Sequence, residues 1–355
     1  MQLVGYPFMS LHKSMQWKPK GQALHEDGEE PTQHSGQEVI AAGDNPDRST
    51  RHDRNCSIRR TVEIILDRWT FLIIREAFFG IREFERFQQR LGVPRQTLSA
   101  RLKRLVENEI FRTVAKPDGR GNQYRFTERG KDLFPVMLSM IEFGDKWLTD
   151  GSPTPMVLYH HNCNHECHPT TVCSVCREPI DARDVSQREG PGAGFSQNEN
   201  RPTNRRSPDA LLEQIRPSSV GRTLEIIGDR WSFLVIREGF LGVRRFDELS
   251  ERLGISSNIL AERLARLVDT GVLRKERTPG GFSEYRFTEM GRDLFRPMLA
   301  MMRWGDTWLS DGKVPQRVRH RTCDCDFHAL VVCDHCGEPI ASNATRYELR
   351  YELTS

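Results

Sequence analysis

Eight of the nine cysteines fall in two short runs, HHNCNHECHPTTVCSVC at 160–176 and HRTCDCDFHALVVCDHC at 320–336. Each run holds a C-x-x-C knuckle (Cys173/Cys176, Cys333/Cys336), preceded by further cysteine and histidine. Two thiolates at that spacing chelate one ion without strain. Two more sulfur or imidazole donors complete the tetrahedron that structural zinc demands. Aligning the two runs selects shared donors: Cys163, His168, Cys173 and Cys176 in the first, and Cys323, His328, Cys333 and Cys336 in the second. His165, Cys167 and Cys325 stay open as alternates. Position 165 is matched by Cys325, whereas Cys167 is matched by Phe327, which cannot ligate. The expectation is two structural zinc ions, one per run. A run of roughly 20 residues buries too little to fold alone, so metal would supply its stability. The βαβ pattern of a redox C-x-x-C site is absent. So are a nucleophile motif, a phosphate loop and an open metal position, which argues against an enzyme.

The two runs belong to a larger duplication. DRWTFLIIREAFFGIREF at 67–84 recurs as DRWSFLVIREGFLGVRRF at 229–246, with 20 identities in 40 positions between 66–105 and 228–267. The match continues through YRFTERGKDLF (124–134) and YRFTEMGRDLF (285–295), and ends at CSVCREPI and CDHCGEPI. A period of about 160 residues is a whole domain, not a solenoid repeat. The polar stretch 1–54 reads as a disordered N-terminal segment, and 186–217, rich in Gly, Pro, Asn and Arg, as a flexible linker. Between them lie copy 1 (55–150) with tail 156–185, and copy 2 (218–311) with tail 317–345.

Within copy 1, Ile58, Val62, Ile65 and Leu66 recur at helical spacing, and Trp69–Phe79 reads as a second helix closed by Gly80. Phe84, Phe87 and Leu91 mark a short helix, and Gly92 breaks it. Leu98, Leu102 and Leu105 stripe a helix over 94–107. Two short helices across a glycine turn make a helix-turn-helix. The β-prone runs Ile110–Ala115 and Gln123–Phe126, around an Asp-Gly turn, add a hairpin and so a winged helix. One long helix is expected over 128–148. Its apolar face is too wide for a small domain alone and is read, with the first helix, as an interface. Trp69, Phe71, Phe78 and Trp147 read as core. The fold class is mainly α with small β wings (α+β): two winged helix-turn-helix domains, each followed by a small Cys/His zinc-binding tail.

The opening CSIRRTVEIILDRWTFLIIREAFFG, the REFERFQQRLG core, the YRFTERG step after the wing and the FGDKWL close resemble the HxlR-type winged helix-turn-helix regulators. The resemblance covers about 56–150 and 219–311. It implies a bacterial, cytoplasmic, DNA-binding transcriptional regulator, more often a repressor, that pairs through its terminal helices. Two copies in one chain then imply an intramolecular pseudo-dimer, with a further homodimer and a small-molecule or redox effector left open. The family often carries a cysteine near its first helix that in some members senses oxidants. Cys56 stands there, with Ser218 as its counterpart, and its reading as a small apolar residue is equally open.

A winged helix puts the second motif helix in the major groove of double-stranded DNA. The leucine stripe fixes the buried side. Gln96 and Lys103 then point outward, Ser99 and Arg104 flank them, and Arg95 opens the helix. Gln suits adenine, while Arg and Lys suit guanine or phosphate. In copy 2 the candidates are Ser257, Asn258 and Arg266, with Glu262 and Ala265 also outward. Residues 94–107 carry +3 and residues 256–269 carry 0, so copy 1 is expected to hold phosphates more strongly. Wing candidates are Lys116 and Arg120 in copy 1 and Arg277 in copy 2. For Arg101 and Arg263, an ion pair or capping contact and a phosphate contact are both open. The overall charge of +3 neither demands nor forbids nucleic acid. No apolar run is long enough to span a membrane.

Overall fold

The computed structural model describes residues 52–116, 119, 121–149, 151–197 and 218–350. Copy 1 begins with strand β1 (His52–Arg54) and helices α1 (Ser57–Ile65), α2 (Arg68–Phe78), α3 (Phe84–Leu91) and α4 (Arg95–Glu107). Strands β2 (Phe111–Ala115) and β3 (Asn122–Phe126) form the wing, followed by α5 (Glu128–Lys131) and α6 (Phe134–Trp147). Its tail holds β4 (Met156–His160), β5 (His165–Glu166), β6 (Pro169–Cys173), β7 (Val185–Glu189) and β8 (Phe195–Gln197). Copy 2 repeats the order: α7 (Ser219–Ile227), α8 (Arg230–Phe240), α9 (Phe246–Leu253), α10 (Ser257–Asp269), β9 (Leu273–Arg277), β10 (Ser283–Phe287), α11 (Glu289–Asp293) and α12 (Phe295–Trp308). Its tail holds β11 (Gln316–His320), β12 (Cys325–Phe327), β13 (Ala329–Cys333) and β14 (Thr345–Leu349).

The helix-turn-helix is set by local chemistry. Asp67 caps α2 by accepting from the Thr70 amide, and Asp229 does the same for α8. Gly92 and Gly254 end α3 and α9 in the left-handed region (φ 61° and 59°), which glycine enters without a Cβ clash. Leu98, Leu102 and Leu105 are buried, as are Leu260, Leu264 and Leu267. The long helix expected over 128–148 is broken. Pro135 lacks the amide a continuous helix would need, so α6 starts afresh at Phe134 with the proline in its first turn.

The two copies pack through their terminal helices. α1 lies on α12 and α7 on α6, and α6 and α12 touch each other. The backbones come close: a Cβ on Gly144 would sit 2.3 Å from the Ser219 carbonyl oxygen, and one on Gly305 would sit 2.5 Å from that of Ser57. The hydroxyl of Thr61 donates to the Met301 carbonyl (3.0 Å), and Thr223 to that of Met140 (2.9 Å). Ser57 bonds Asp306 and Ser219 bonds Asp145. Arg60 and Arg222 cap the far helix ends through the Leu309 and Leu148 carbonyls. One hydrophobic core runs through both copies and into the tails.

The tails interlock strand by strand. β6 pairs antiparallel with β13, β7 of tail 1 with β11 of tail 2, and β14 of tail 2 with β4 of tail 1. The expected flexible linker over 186–217 is therefore ordered in its first part. Residues 185–189 and 195–197 are strands, the latter paired with β1. Likewise 52–54, expected disordered, form β1, because β8 offers its backbone groups a partner. Residues 1–51 and 198–217 lie outside the described residues.

Candidate nucleic-acid interface and metal centres

The tail strands bring eight side chains able to ligate a metal into two groups, each assembled from both copies. His160 and Cys163 meet Cys333 and Cys336, and His320 and Cys323 meet Cys173 and Cys176. The groups match almost distance for distance. In the first, Cys163 Sγ lies 3.9 Å from Cys333 Sγ and 3.7 Å from His160 Nδ1, and Cys336 Sγ lies 3.3 Å from that nitrogen. In the second, the corresponding separations are 4.0, 3.7 and 3.3 Å. A tetrahedral zinc with sulfur at about 2.3 Å and nitrogen at about 2.0–2.1 Å places its ligands roughly 3.6–3.8 Å apart, so the cage fits such an ion. The sulfur pairs are too far apart for disulfides, and all nine cysteines are free. Burial raises the thiols of Cys333 and Cys323. Backbone amides and neighbouring thiols donating to them more than offset this and hold both below the ordinary thiol range, while burial pushes their cage partners Cys173 and Cys336 up.

This arrangement differs from the expected ligand sets in two ways. His168 and His328 belong to neither group. The His168 side chain is exposed and lies 4.0 Å from Glu166, and His328 is separated from its knuckle by strand β13. The imidazoles that do converge, His160 and His320, end strands β4 and β11 and are almost fully buried. The second difference is the crossing. Antiparallel pairing of β6 with β13 carries each knuckle away from its own upstream cysteine and onto that of the other tail. The repeated H-x-x-C at 160–163 and 320–323 was a legible signal for the histidines. Of the alternates, Cys167 is buried with its thiol pushed far up by burial, and Cys325 donates to the Cys323 carbonyl. His165 stacks on His335 (centroids 3.6 Å apart), and both approach Cys163.

The DNA candidates separate into exposed and engaged. On α4, Arg95, Gln96, Ser99 and Lys103 are exposed. Arg95 stacks over Phe84 (4.7 Å), and Lys103 lies 3.8 Å from Glu107. Arg104 is half-buried and donates to the Glu63 carbonyl at the end of α1, as Arg266 does to Glu225 in copy 2. A last-turn carbonyl has no partner within its helix, so the guanidinium is drawn there. Arg101 ion-pairs with Asp67 (2.8 Å) and Arg263 with Asp229 (3.0 Å), so the ion-pair reading is the one the geometry bears out for both. On α10, Ser257, Asn258, Glu262 and Ala265 are exposed, with no basic residue among them.

In the wing, Lys116 is half-buried against Glu83 (2.9 Å), a contact that holds this carboxylate below its ordinary range. Arg120 lies outside the described residues, and Arg277 is exposed. Two wing arginines escaped the sequence reading. Arg112 and Arg125 stand opposite each other on β2 and β3, both exposed. Their signal is strand alternation, which puts both side chains on one face. Their counterparts Arg274 and Arg286 are neutralised by Glu276 (2.5 and 3.1 Å), and Arg286 also by Glu284 (2.8 Å). Copy 1 has Val114 and Gln123 at those two acidic positions.

Comparison with known proteins assigns the two helix-turn-helix copies to a family. A model of the HxlR-like helix-turn-helix matches residues 64–152 and again 226–313. An HTH-type transcriptional regulator of Mycobacterium tuberculosis is 42% identical over 137 residues, 38% of this chain and 87% of the relative. The chain belongs to the HxlR-like helix-turn-helix family. A second HTH-type transcriptional regulator, from Synechocystis, is 30% identical over 99 residues, covering 27% of this chain and 73% of the relative. The crystal structure of PA1607, described as a transcription factor, shares 36% identity over 36% of this chain and 91% of its own, with a TM-score of 0.33. The family is one of DNA-binding transcriptional regulators, not of enzymes. Among the described residues no helix is long and apolar enough to cross a membrane.

Proposed function

We propose that the chain is a cytoplasmic transcriptional repressor acting as an intramolecular pseudo-dimer, its copies locked by two structural zinc ions. The observation that carries this is the crossing of the tails, since each four-ligand cage takes two donors from each copy. Zinc in such a cage is closed and redox-inert, which suits a staple and not a catalyst. Copy 1 supplies the main DNA contacts: Arg95, Gln96, Ser99 and Lys103 on α4, with Arg112, Lys116, Arg120 and Arg125 on the wing. Copy 2 contributes Ser257, Asn258 and Arg277, reads a different half-site, and makes the operator non-palindromic. Repression follows from covering a promoter.

Sequencing the DNA fragments retained by the purified, zinc-loaded chain tests this. An asymmetric consensus with one well-defined half is expected, and no enrichment would overturn the reading. A second reading is favoured by one observation: copy 2 exposes Asp247, Glu248, Glu251 and Glu262 on its motif helices. On that reading copy 2 docks a protein instead of DNA. Cys56 adds a redox input to either reading. It precedes α1 at the cap position, and the half-buried Arg237 of copy 2 hydrogen-bonds it.

A further inference from the structure

The two halves of the molecule differ at one junction that the DNA reading does not use. A cavity of about 610 Å³ opens between α5 and α6 of copy 1, α12 of copy 2 and strand β13 with the loop after it. That volume suits a small organic ligand. Its walls include Phe134, Pro135, Trp308, Val331 and Ile340, and Arg303 stands at its edge.

Every lining residue has a counterpart in the other half, where the same space is crossed by side chains. Pro135 is matched by Arg296, Arg303 by Glu142, and Val331 by Thr171. Arg296 reaches across to the Ile180 carbonyl (3.1 Å) and to Glu142 (3.0 Å), and Glu142 in turn accepts from the Thr171 hydroxyl (2.6 Å). Arg296 thus sits between two carboxylates, Glu142 and, at 3.9 Å, Asp293. In the open half, Arg303 has Asp132 (2.9 Å), the counterpart of Asp293, and Trp308 holds that carboxylate in place (2.9 Å). Glu128 also lines the cleft but is paired with Lys131 (2.6 Å), and among the described residues Asp132 is the carboxylate recorded on Arg303. A guanidinium has five donors and favours a second planar anion.

We propose that this cleft binds one small aromatic or alicyclic carboxylate per chain, its carboxylate on Arg303 and its ring against Phe134, Pro135 and Trp308. The ligand restores, from outside, the acid–guanidinium pair that the other half builds internally. It touches α5 and α6 of copy 1 and α12 and the tail of copy 2, so its occupancy couples the two copies. The effect on DNA rests on the regulator reading above; the binding does not.

The test is calorimetric titration of the full-length, zinc-loaded protein with 2-naphthoate and, in parallel, its neutral amide. One equivalent of 2-naphthoate per chain is expected. Arg303→Met should weaken the carboxylate at least tenfold and the amide less than threefold. The double variant Pro135→Arg/Arg303→Glu transplants the internal pair and should abolish binding of both probes. Unfolding temperature and zinc content report whether each variant is intact. No binding to wild type at millimolar probe, two equivalents per chain, or wild-type affinity in both variants would each overturn the site. A repeat in the presence of operator DNA separates the two ideas: binding with no change in DNA affinity keeps the cleft and removes its regulatory role.

Discussion

The reading heads of the two copies share a skeleton and differ in their surface. The buried parts match residue for residue: the leucine stripes of α4 and α10, the Asp67–Arg101 and Asp229–Arg263 pairs, and the arginines that reach back to α1 and α7. The outward parts do not match. Arg95, Gln96 and Lys103 of copy 1 face Ser257, Asn258 and Ala265 of copy 2, and the wing arginines of copy 2 are covered by Glu276 and Glu284. Packing fixes the first set because a buried change costs several kcal/mol. Nothing in the fold fixes the second set, so it can follow the partner.

The largest effect comes from releasing the two copies from each other. Structural zinc in small modules supplies on the order of 10 kcal/mol, so removing metal from both cages should unfold the tails. The crossing of the cages makes a sharper test. Cys163 and Cys333 belong to one candidate cage, whereas Cys163 and Cys173 belong to different ones. The double variant Cys163→Ser/Cys333→Ser should therefore retain one equivalent of cobalt with thiolate-to-metal absorption. Cys163→Ser/Cys173→Ser should retain none. The opposite pattern would mean that each tail binds its own metal, as the sequence alone suggested.

Next in size is the difference between the reading heads. Arg95→Ala with Lys103→Ala should weaken operator binding roughly 30- to 100-fold at low salt and flatten the salt dependence by about two phosphate contacts. Ser257→Ala should change affinity less than threefold. The converse graft, Ser257→Arg with Ala265→Lys, should raise affinity if α10 lies in a groove. A filter-binding or anisotropy series over salt reads all three. Equal losses from both heads would break the comparison.

Much of the architecture was legible in the sequence, and the errors are instructive. The period-3.6 stripes and the two glycine breaks placed the helix-turn-helix, because local periodicity determines local structure. The helix break before Pro135 is local too, yet the apolar periodicity of 128–148 reads as one continuous helix and hides it. What escaped was set by pairing between copies. His160 and His320 were passed over although their H-x-x-C spacing repeats. Which knuckle meets which upstream cysteine is a matter of strand exchange, and two equivalent copies give a sequence no means of choosing. The same holds for 186–197, where the strands on either side of the Gly/Pro segment 190–194 form because β11 and β1 lie alongside.

A smaller effect lies in the seam between the copies. Asp145 and Asp306 are half-buried there against Ser219 and Ser57, and desolvation pushes both carboxyls up to about 6 from 3.8. A folded-state value above the unfolded one means that the folded chain holds protons the unfolded chain has released. Stability from these groups is thus complete below about pH 4 and is lost as pH rises through 6. Each contributes on the order of 1–2 kcal/mol. Asp145→Asn/Asp306→Asn should flatten this segment of the profile and raise stability at pH 7. All other titrating groups are shared by the two proteins, so the difference between the two urea-midpoint profiles isolates the seam. A pH-independent difference would exclude it.

The smallest prediction concerns a residue that the two copies share. Arg104 lies on the reading helix, where a phosphate contact is the obvious role, yet its guanidinium lies on the Glu63 carbonyl, and Arg266 repeats the contact on Glu225. A contact made by both heads belongs to the skeleton they share and not to the surface on which they differ. Replacing Arg104 with Met keeps the aliphatic stem and removes the donor, which should cost about 1 kcal/mol of stability. Arg266→Met in copy 2 should cost the same, although the two heads differ in charge. If Arg104 instead serves DNA, the two variants will part company: Arg104→Met will weaken operator binding about as much as Lys103→Ala, with the unfolding midpoint unchanged, and Arg266→Met will do neither. Equal stability losses with little change in operator affinity would place both arginines in the scaffold and leave Arg95 and Lys103 as the cations of α4 that face outward.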